Sequence, residues 1–207
     1  MLVSVIVPMF NEEEGLEPLA LDLEILRKGI EGLGHRTEIV FVDDGSTDGS
    51  TWAISLLYRG RNDVRVVAHR KNMGFGAALR SGIAEARGAV VLCYDADRPY
   101  PPEDGALLVE AVQGPEDADV ATVSPWGPGG RAEGVGGFRR FLSKGASTLY
   151  RLALRGRGAG LTCFTCSYRA YKGDVIRSVE FESDDFLATA EIMARILVSG
   201  HRAIEVA

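Results

Sequence analysis

The stretch Ala89-Val90-Val91-Leu92-Cys93-Tyr94-Asp95-Ala96-Asp97 is an apolar run that stops at two carboxylates one residue apart. Five small or β-favouring residues in succession, with no polar alternation, read as a strand buried on both faces, as in a parallel sheet. Sheets of this kind bind ligands beyond the carboxyl ends of their strands. Asp95 and Asp97 fall there, with side chains on the same side of an extended segment. Two hard oxygen donors so placed suit Mg2+ or Mn2+, an ion that commonly bridges to substrate phosphates. From these residues alone, a pair of loop aspartates capping the next helix is the alternative.

Similar apolar runs lie at residues 3–7, 39–42, 64–68 and 118–123, with helical patterns near 13–30, 50–58, 75–86 and 102–112 between them. Strand and helix in alternation with short connections predict βαβ units and a mainly parallel sheet flanked by helices. After Ser124 the pattern changes to Gly/Pro-rich segments at 125–130 and 134–137. A helix is expected at about 138–154, an extended segment at 162–171, a helix at 186–198 and a last strand at 202–206. The whole chain of 207 residues reads as one domain, with 1–124 holding a nucleotide and 125–207 forming the acceptor side.

A hydrophobic content of 46% describes an ordinary globular core, and no stretch approaches the roughly 20 apolar residues of a membrane span. The N-terminus reads as a strand, not a signal peptide. Three cysteines, an odd number, argue for a reducing compartment, and Cys163-Phe164-Thr165-Cys166 has no second pair nearby to complete a zinc site. A cytoplasmic protein, at most resting on the cytoplasmic face of a membrane, is the expectation. The net charge of −6 disfavours nucleic acid. Yet residues 126–180 hold ten basic side chains against Glu133, Asp174 and Glu180, which points to a local anionic partner, a phosphate group or a membrane surface.

Each strand end adds a motif. Strand one ends in Pro8-Met9-Phe10-Asn11-Glu12, where Asn11 and Glu12 either read a base or ribose or serve as helix cap and first-turn acid. Strand two ends in Asp43-Asp44-Gly45-Ser46-Thr47-Asp48. The turn explains Gly45 onward, with Thr47 or Asp48 as cap, but not two acids ahead of it, so Asp43 is a candidate for accepting from a ribose or base. Asn72-Met73-Gly74-Phe75-Gly76-Ala77-Ala78 opens the third helix with small residues that allow close approach of a diphosphate. Leu79 breaks a dinucleotide fingerprint, and no P-loop is present.

In this order, Pro8-x-x-Asn11-Glu12, Val42-Asp43-Asp44-Gly45-Ser46-Thr47-Asp48, Asn72 to Ala78, and Asp95-Ala96-Asp97 with Pro101-Pro102-Glu103 resemble glycosyltransferase family 2. Within it, Arg139 to Ser143-Lys144-Gly145-Ala146, Ser167-Tyr168-Arg169-Ala170-Tyr171-Lys172 and Glu191 followed by 199–206 are similar to the branch of dolichol-phosphate mannosyltransferase and polyprenyl-phosphate glycosyltransferases. The resemblance implies a GT-A fold and an inverting transfer of a hexose from a GDP- or UDP-sugar to a polyprenyl phosphate. It implies that Pro8, Phe10, Asn11, Glu12, Asp43, Asp44 and Gly74 hold the nucleotide sugar, and that Asp95, Ala96 and Asp97 hold the diphosphate, the two aspartates through a metal. Departures are Arg98-Pro99 where the branch has Leu-Gln, Val123-Ser124-Pro125 where it has Gly-Ser-Arg, and Ser167 where it has Gly, in Thr165-Cys166-Ser167-Tyr168-Arg169. Arg98 is a candidate replacement cation near the diphosphate.

A phosphate monoester acceptor has a second pKa of about 6, so at neutral pH it is largely dianionic and needs positioning cations rather than a general base. Arg139 and Ser143, four apart on one helical face, and Arg169 are expected to bind it, with Asp97, Arg139 and Arg169 as the catalytic set. The alternatives are a hydroxyl acceptor, with Asp184, Asp185 or Glu191 as base, and a non-catalytic sugar-nucleotide-binding protein. The segment 138–154 has the composition to lie on a membrane surface.

Overall fold

A computed structural model describes residues 1–124, 145 and 147–206. In chain order these form β1 (Leu2–Met9), a 3-10 turn (Glu13–Gly15), α1 (Leu16–Gly32), β2 (Arg36–Asp43), α2 (Ser50–Leu57), β3 (Val64–Ala68), α3 (Phe75–Glu85), β4 (Val90–Cys93), α4 (Asp104–Gln113) and β5 (Val120–Val123). After the undescribed segment come α5 (147–153), β6 (Arg169–Lys172), α6 (Gly173–Ser178), α7 (Leu187–Val198) and β7 (Ala203–Val206). The strands build one seven-stranded sheet in the order β3-β2-β1-β4-β6-β5-β7. All pairings are parallel except those of β6 with β4 and β5.

The unbroken apolar runs follow from burial on both faces. Val3, Val5, Val7 and Met9 of β1 pack with Leu92 of β4, and with Leu19, Leu23 and Leu26 of α1 and Leu108 of α4. Ile6, with Val40, Val42, Val91 and Cys93, faces Leu79 and Ile83 of α3 and Ile192 and Ile196 of α7. The five strands expected before residue 124 and the four helices between them lie within a few residues of their anticipated bounds. Two elements differ. Of the expected extended segment 162–171 only 169–171 form a strand, which runs on to Lys172, because the amides of Thr162 and Cys163 donate to the Glu205 carboxylate instead of a ladder. The short helix α6 was not expected; it buries Val175 and Ile176 while Arg177 donates to the carbonyls of Ala86 and Gly88. Of the helix expected at 138–154, residues 147–153 are helical and 138–144 lie outside the described residues.

Strand β6 runs against its neighbours and so delivers its first residue, Arg169, opposite Cys93 at the carboxyl end of β4. Arg169 is 0% exposed. Its guanidinium donates to the carbonyls of Thr189 and Phe164, both at 2.7 Å, and to Thr122 Oγ1 at 3.4 Å. One side chain thus joins the sheet, the loop before β6 and the first turn of α7. Arg169→Met keeps the length but donates nothing, and strands two buried acceptors; the unfolding free energy should fall by about 2–5 kcal/mol. Urea denaturation reads this directly, and an unchanged midpoint would remove Arg169 from its structural role.

Candidate active site

The carboxyl ends of β1, β2 and β4 border a cleft of about 350 Å3, closed on its far side by the segment before α7. Its lining includes Pro8, Phe10, Glu12, Asp44, Gly74, Asp95, Ala96 and Asp97, so eight of the anticipated site residues come together there. Three do not line it. Asn11, Asp43 and Arg169 are used elsewhere, and Arg139 and Ser143 lie outside the described residues.

The loops around the cleft are laced to one another. Asn11, with φ of 56°, accepts the Thr47 amide at 2.8 Å and offers its own amide to Ser46 Oγ at 2.9 Å. The amides of Glu12 and Glu13 donate to Ser50 Oγ and Asp48, and the Gly49 amide donates back to Glu13. Asn11 therefore caps the neighbouring loop rather than its own helix, and Asp48 accepts from the Ser50 amide at the start of α2. Asp43 accepts from the Ser46 amide at 2.9 Å and from the Thr51 hydroxyl, so both of its oxygens serve the turn. The adjacent Asp44 is the acid that reaches the cleft. It accepts from the amides of Met73 at 2.9 Å and Gly74 at 2.7 Å and meets His69 Nδ1 at 2.6 Å.

Asp95 accepts from the Ser167 hydroxyl through Oδ2, while its buried Oδ1 has no hydrogen-bond partner among the described residues. Burial raises its pKa to about 6; the Ser167 bond opposes this and the neighbouring Asp97 adds to it. Glu12 is also raised, by burial first and then by Asp97 and Asp48. A buried acceptor without a donor, flanked by exposed Asp97 in a cleft of carboxylates, is the chemistry of a hard divalent cation. Among the described residues no group of three or more His, Cys, Asp or Glu side chains could hold a metal unaided. Asp95 and Asp97 thus fit a hard divalent cation, to which they would supply two of the oxygen ligands. Arg98 is not placed to supply charge there: with φ of 57° it turns away from the cleft, and its Nε donates to Asp22 of α1 at 2.5 Å.

The segment 181–186 covers the start of α3. The Gly76 amide donates to the Asp184 carbonyl at 2.8 Å, and Arg80 pairs with Asp184 at 3.1 Å while lying 4.8 Å over the Phe181 ring. Glu191 holds the segment from α7 by accepting the Glu182 and Ser183 amides and pairing with Arg195 at 2.7 Å. Burial pushes Glu191 up, but the Ser183 and Glu182 bonds and Arg195 outweigh it and hold the carboxyl at about 2. The Phe75 and Phe186 rings stack at 4.4 Å on the cleft wall beside Asp185.

The fold defined by this sheet and cleft is the GT-A fold. A solved glucosyl-3-phosphoglycerate synthase from Mycobacterium tuberculosis, in complex with Mn2+, UDP and phosphoglyceric acid, superposes with a TM-score of 0.71 at 21% identity over 99% of this chain and 67% of that one. A mannosyltransferase from Pyrobaculum calidifontis, in complex with GDP-mannose and Mn2+, gives a TM-score of 0.66 at 23% identity over 99% and 54% of the two chains. The model of glycosyl transferase family 2 matches residues 4–179, and the chain belongs to that family. It is 33% identical to a dolichol-phosphate mannosyltransferase of Pyrococcus furiosus over 97% of this chain and 53% of that protein. It is 35% identical to an undecaprenyl-phosphate 4-deoxy-4-formamido-L-arabinose transferase of Pseudomonas fluorescens over 84% and 48%. The chain spans about half the length of the curated relatives it matches.

Two expectations follow. Gly74 has φ of 97°, and a Cβ there would lie 2.2 Å from the Asp184 carbonyl oxygen. Gly74→Ala should lower stability by about 1–3 kcal/mol in thermal melts and displace the covering segment. Because the Glu191 pKa is depressed from 4.5, its contribution is complete above about pH 4.5 and is lost as pH falls towards about 2. Glu191→Gln should remove that part of the acid dependence, so melting curves of the two proteins should converge at the acid end.

Proposed function

We propose that this chain is an inverting, metal-assisted glycosyltransferase that moves a hexose from a GDP- or UDP-sugar to a polyprenyl phosphate. The observation that carries the donor half is the buried, donor-less Asp95 Oδ1 beside Asp97 at the carboxyl edge of the sheet. The polyprenyl phosphate half rests on the activities named for the Pyrococcus and Pseudomonas relatives.

Asp95 and Asp97 would hold Mg2+ or Mn2+, whose charge offsets that developing on the departing diphosphate. Ser167 orients Asp95 by donating to Oδ2. Pro8, Phe10 and Glu12 face the nucleoside, and Asp44 fixes the Met73-Gly74 loop against which the diphosphate lies. Asn11 and Asp43 act on the nucleotide by holding the loop that frames it. The acceptor phosphate is already dianionic, so it needs no base; Arg139 and Ser143 position it. Arg169, buried with its donors on main-chain carbonyls, supports the Ser167 loop and α7 rather than touching the phosphate.

No described helix is long and apolar enough to cross a membrane. On α5, Leu149 and Leu152 are 68% and 71% exposed, and Arg151 and Arg155 follow in the same stretch. That mixture fits a peripheral contact with an anionic lipid surface, where a polyprenyl phosphate resides.

A hydroxyl acceptor is the second reading, and one residue favours it. Of the three candidate bases, Asp184 is paired with Arg80 and Glu191 is spent on the covering segment, whereas Asp185 lines the cleft. Transfer of labelled sugar decides between the two. With Mn2+ and a panel of GDP- and UDP-hexoses, label should pass to polyprenyl phosphate. Asp95→Asn and Asp97→Asn should each lower the rate by about 100-fold or more. Arg139→Ala should chiefly raise the acceptor KM. Label passing only to a saccharide hydroxyl, with loss on Asp185→Asn, overturns the phosphate-acceptor reading.

A further inference from the structure

His69 follows β3 directly, and its amide donates to the Asp43 carbonyl at 2.8 Å, which anchors the residue at the carboxyl edge of the sheet. Its ring lies between two groups. Nδ1 is 2.6 Å from Asp44 Oδ1, and Nε2 is 2.8 Å from Ser81 Oγ on α3. A carboxylate can only accept, so Nδ1 carries a proton and donates, and in the neutral ring Nε2 accepts from the Ser81 hydroxyl. The tautomer is thereby set from both sides. The His69 and Asp44 side chains are only 10% and 5% exposed, so water does not replace this bond cheaply.

Asp44 has little freedom of its own. Its two oxygens accept the amides of Met73 and Gly74, and Gly74, with Asn72 and Phe75 on either side of this pair, lines the cleft where α3 begins. Gly74 also presses against the Asp184 carbonyl, so a small rotation of the Asp44 carboxylate shifts both the floor and the segment over it. The ring of His69 is the side-chain donor that keeps that carboxylate from rotating. We propose that His69 is a positioning residue for the nucleotide sugar, acting through Asp44 to preset the Met73-Gly74 loop before the ligand arrives. This rests on the reading of the cleft as a nucleoside-diphosphate-sugar site.

The geometry separates two amide replacements. An asparagine at 69 places its amide where Nδ1 stands and can still donate to Asp44; a glutamine reaches towards the Nε2 position and Ser81. Binding of GDP and UDP with Mn2+ by calorimetry, together with amide hydrogen exchange of the ligand-free proteins, tests the proposal on His69→Ala, His69→Asn and His69→Gln. His69→Ala should weaken nucleotide binding about tenfold, the size of one lost charge-assisted hydrogen bond. It should also speed exchange at the Met73 and Gly74 amides. In turnover the effect should fall on KM for the donor, with kcat within about threefold. His69→Asn should restore both readouts and His69→Gln neither. Equal behaviour of the Asn and Gln variants, or loop exchange unchanged in His69→Ala, overturns the proposal. Wild-type protein that binds neither nucleotide overturns the reading of the cleft instead, while the exchange data still decide whether His69 holds the loop.

Discussion

The buried guanidinium of Arg169 is the constraint on which the part of this molecule after β5 depends. Burying a cation with no water is costly unless its donors are matched, and here they meet two carbonyls and a hydroxyl from three separate parts of the chain. Those acceptors fix the loop before β6 and the beginning of α7. The loop brings Ser167 to Asp95, and α7 carries Glu191, which holds the segment bearing Asp185 and Phe186. The aspartate at the strand end and the wall opposite it are thus referred to the same buried point.

At the carboxyl ends of β1 and β2 the rim of the cleft is made of loops, and these loops are kept in place by pairing with each other. Residues 11–13 and 46–50 exchange amide and side-chain hydrogen bonds in both directions, so neither loop moves without the other. Asp44 does the same for residues 73 and 74. The result is a cleft with fixed rims and a surplus of negative charge, where Asp95 and Glu12 are raised by burial and by neighbouring acids. Such a site fits the proposed reading of a ligand that arrives with a divalent cation.

The parallel strands, the order of the strand-end motifs and the position of Asp95-Ala96-Asp97 were legible in the sequence, because they depend on local apolar runs and on where those runs stop. What was not legible depends on partners far away in the chain. Asn11 reads equally well as a ligand contact or a helix cap, and only the arrival of Thr47 shows that it caps a different loop. Arg98 has the right charge for a diphosphate, but Asp22 lies closer to where its backbone sends it. Arg169 sits in a motif with basic neighbours, and nothing local says that its strand is buried on both faces. His69 carried no motif at all; an acid pair at the end of β2 facing a histidine just after β3 was the available signal, and it needs the register between those strands to be seen.

The antiparallel strand β6 sits between β4 and β5, so among the described residues β5 and β7 join the sheet only through it. The first 124 residues contain every strand-end motif that borders the cleft from β1, β2 and β4, yet cut off there they would leave one border of β4 unpaired and β5 with no strand beside it. An unpaired inner strand of this kind is a template for self-association. As the chain emerges during synthesis, the earlier strands must therefore remain incomplete until residue 172 is available. The boundary at residue 124 is one that assembly of the sheet does not respect.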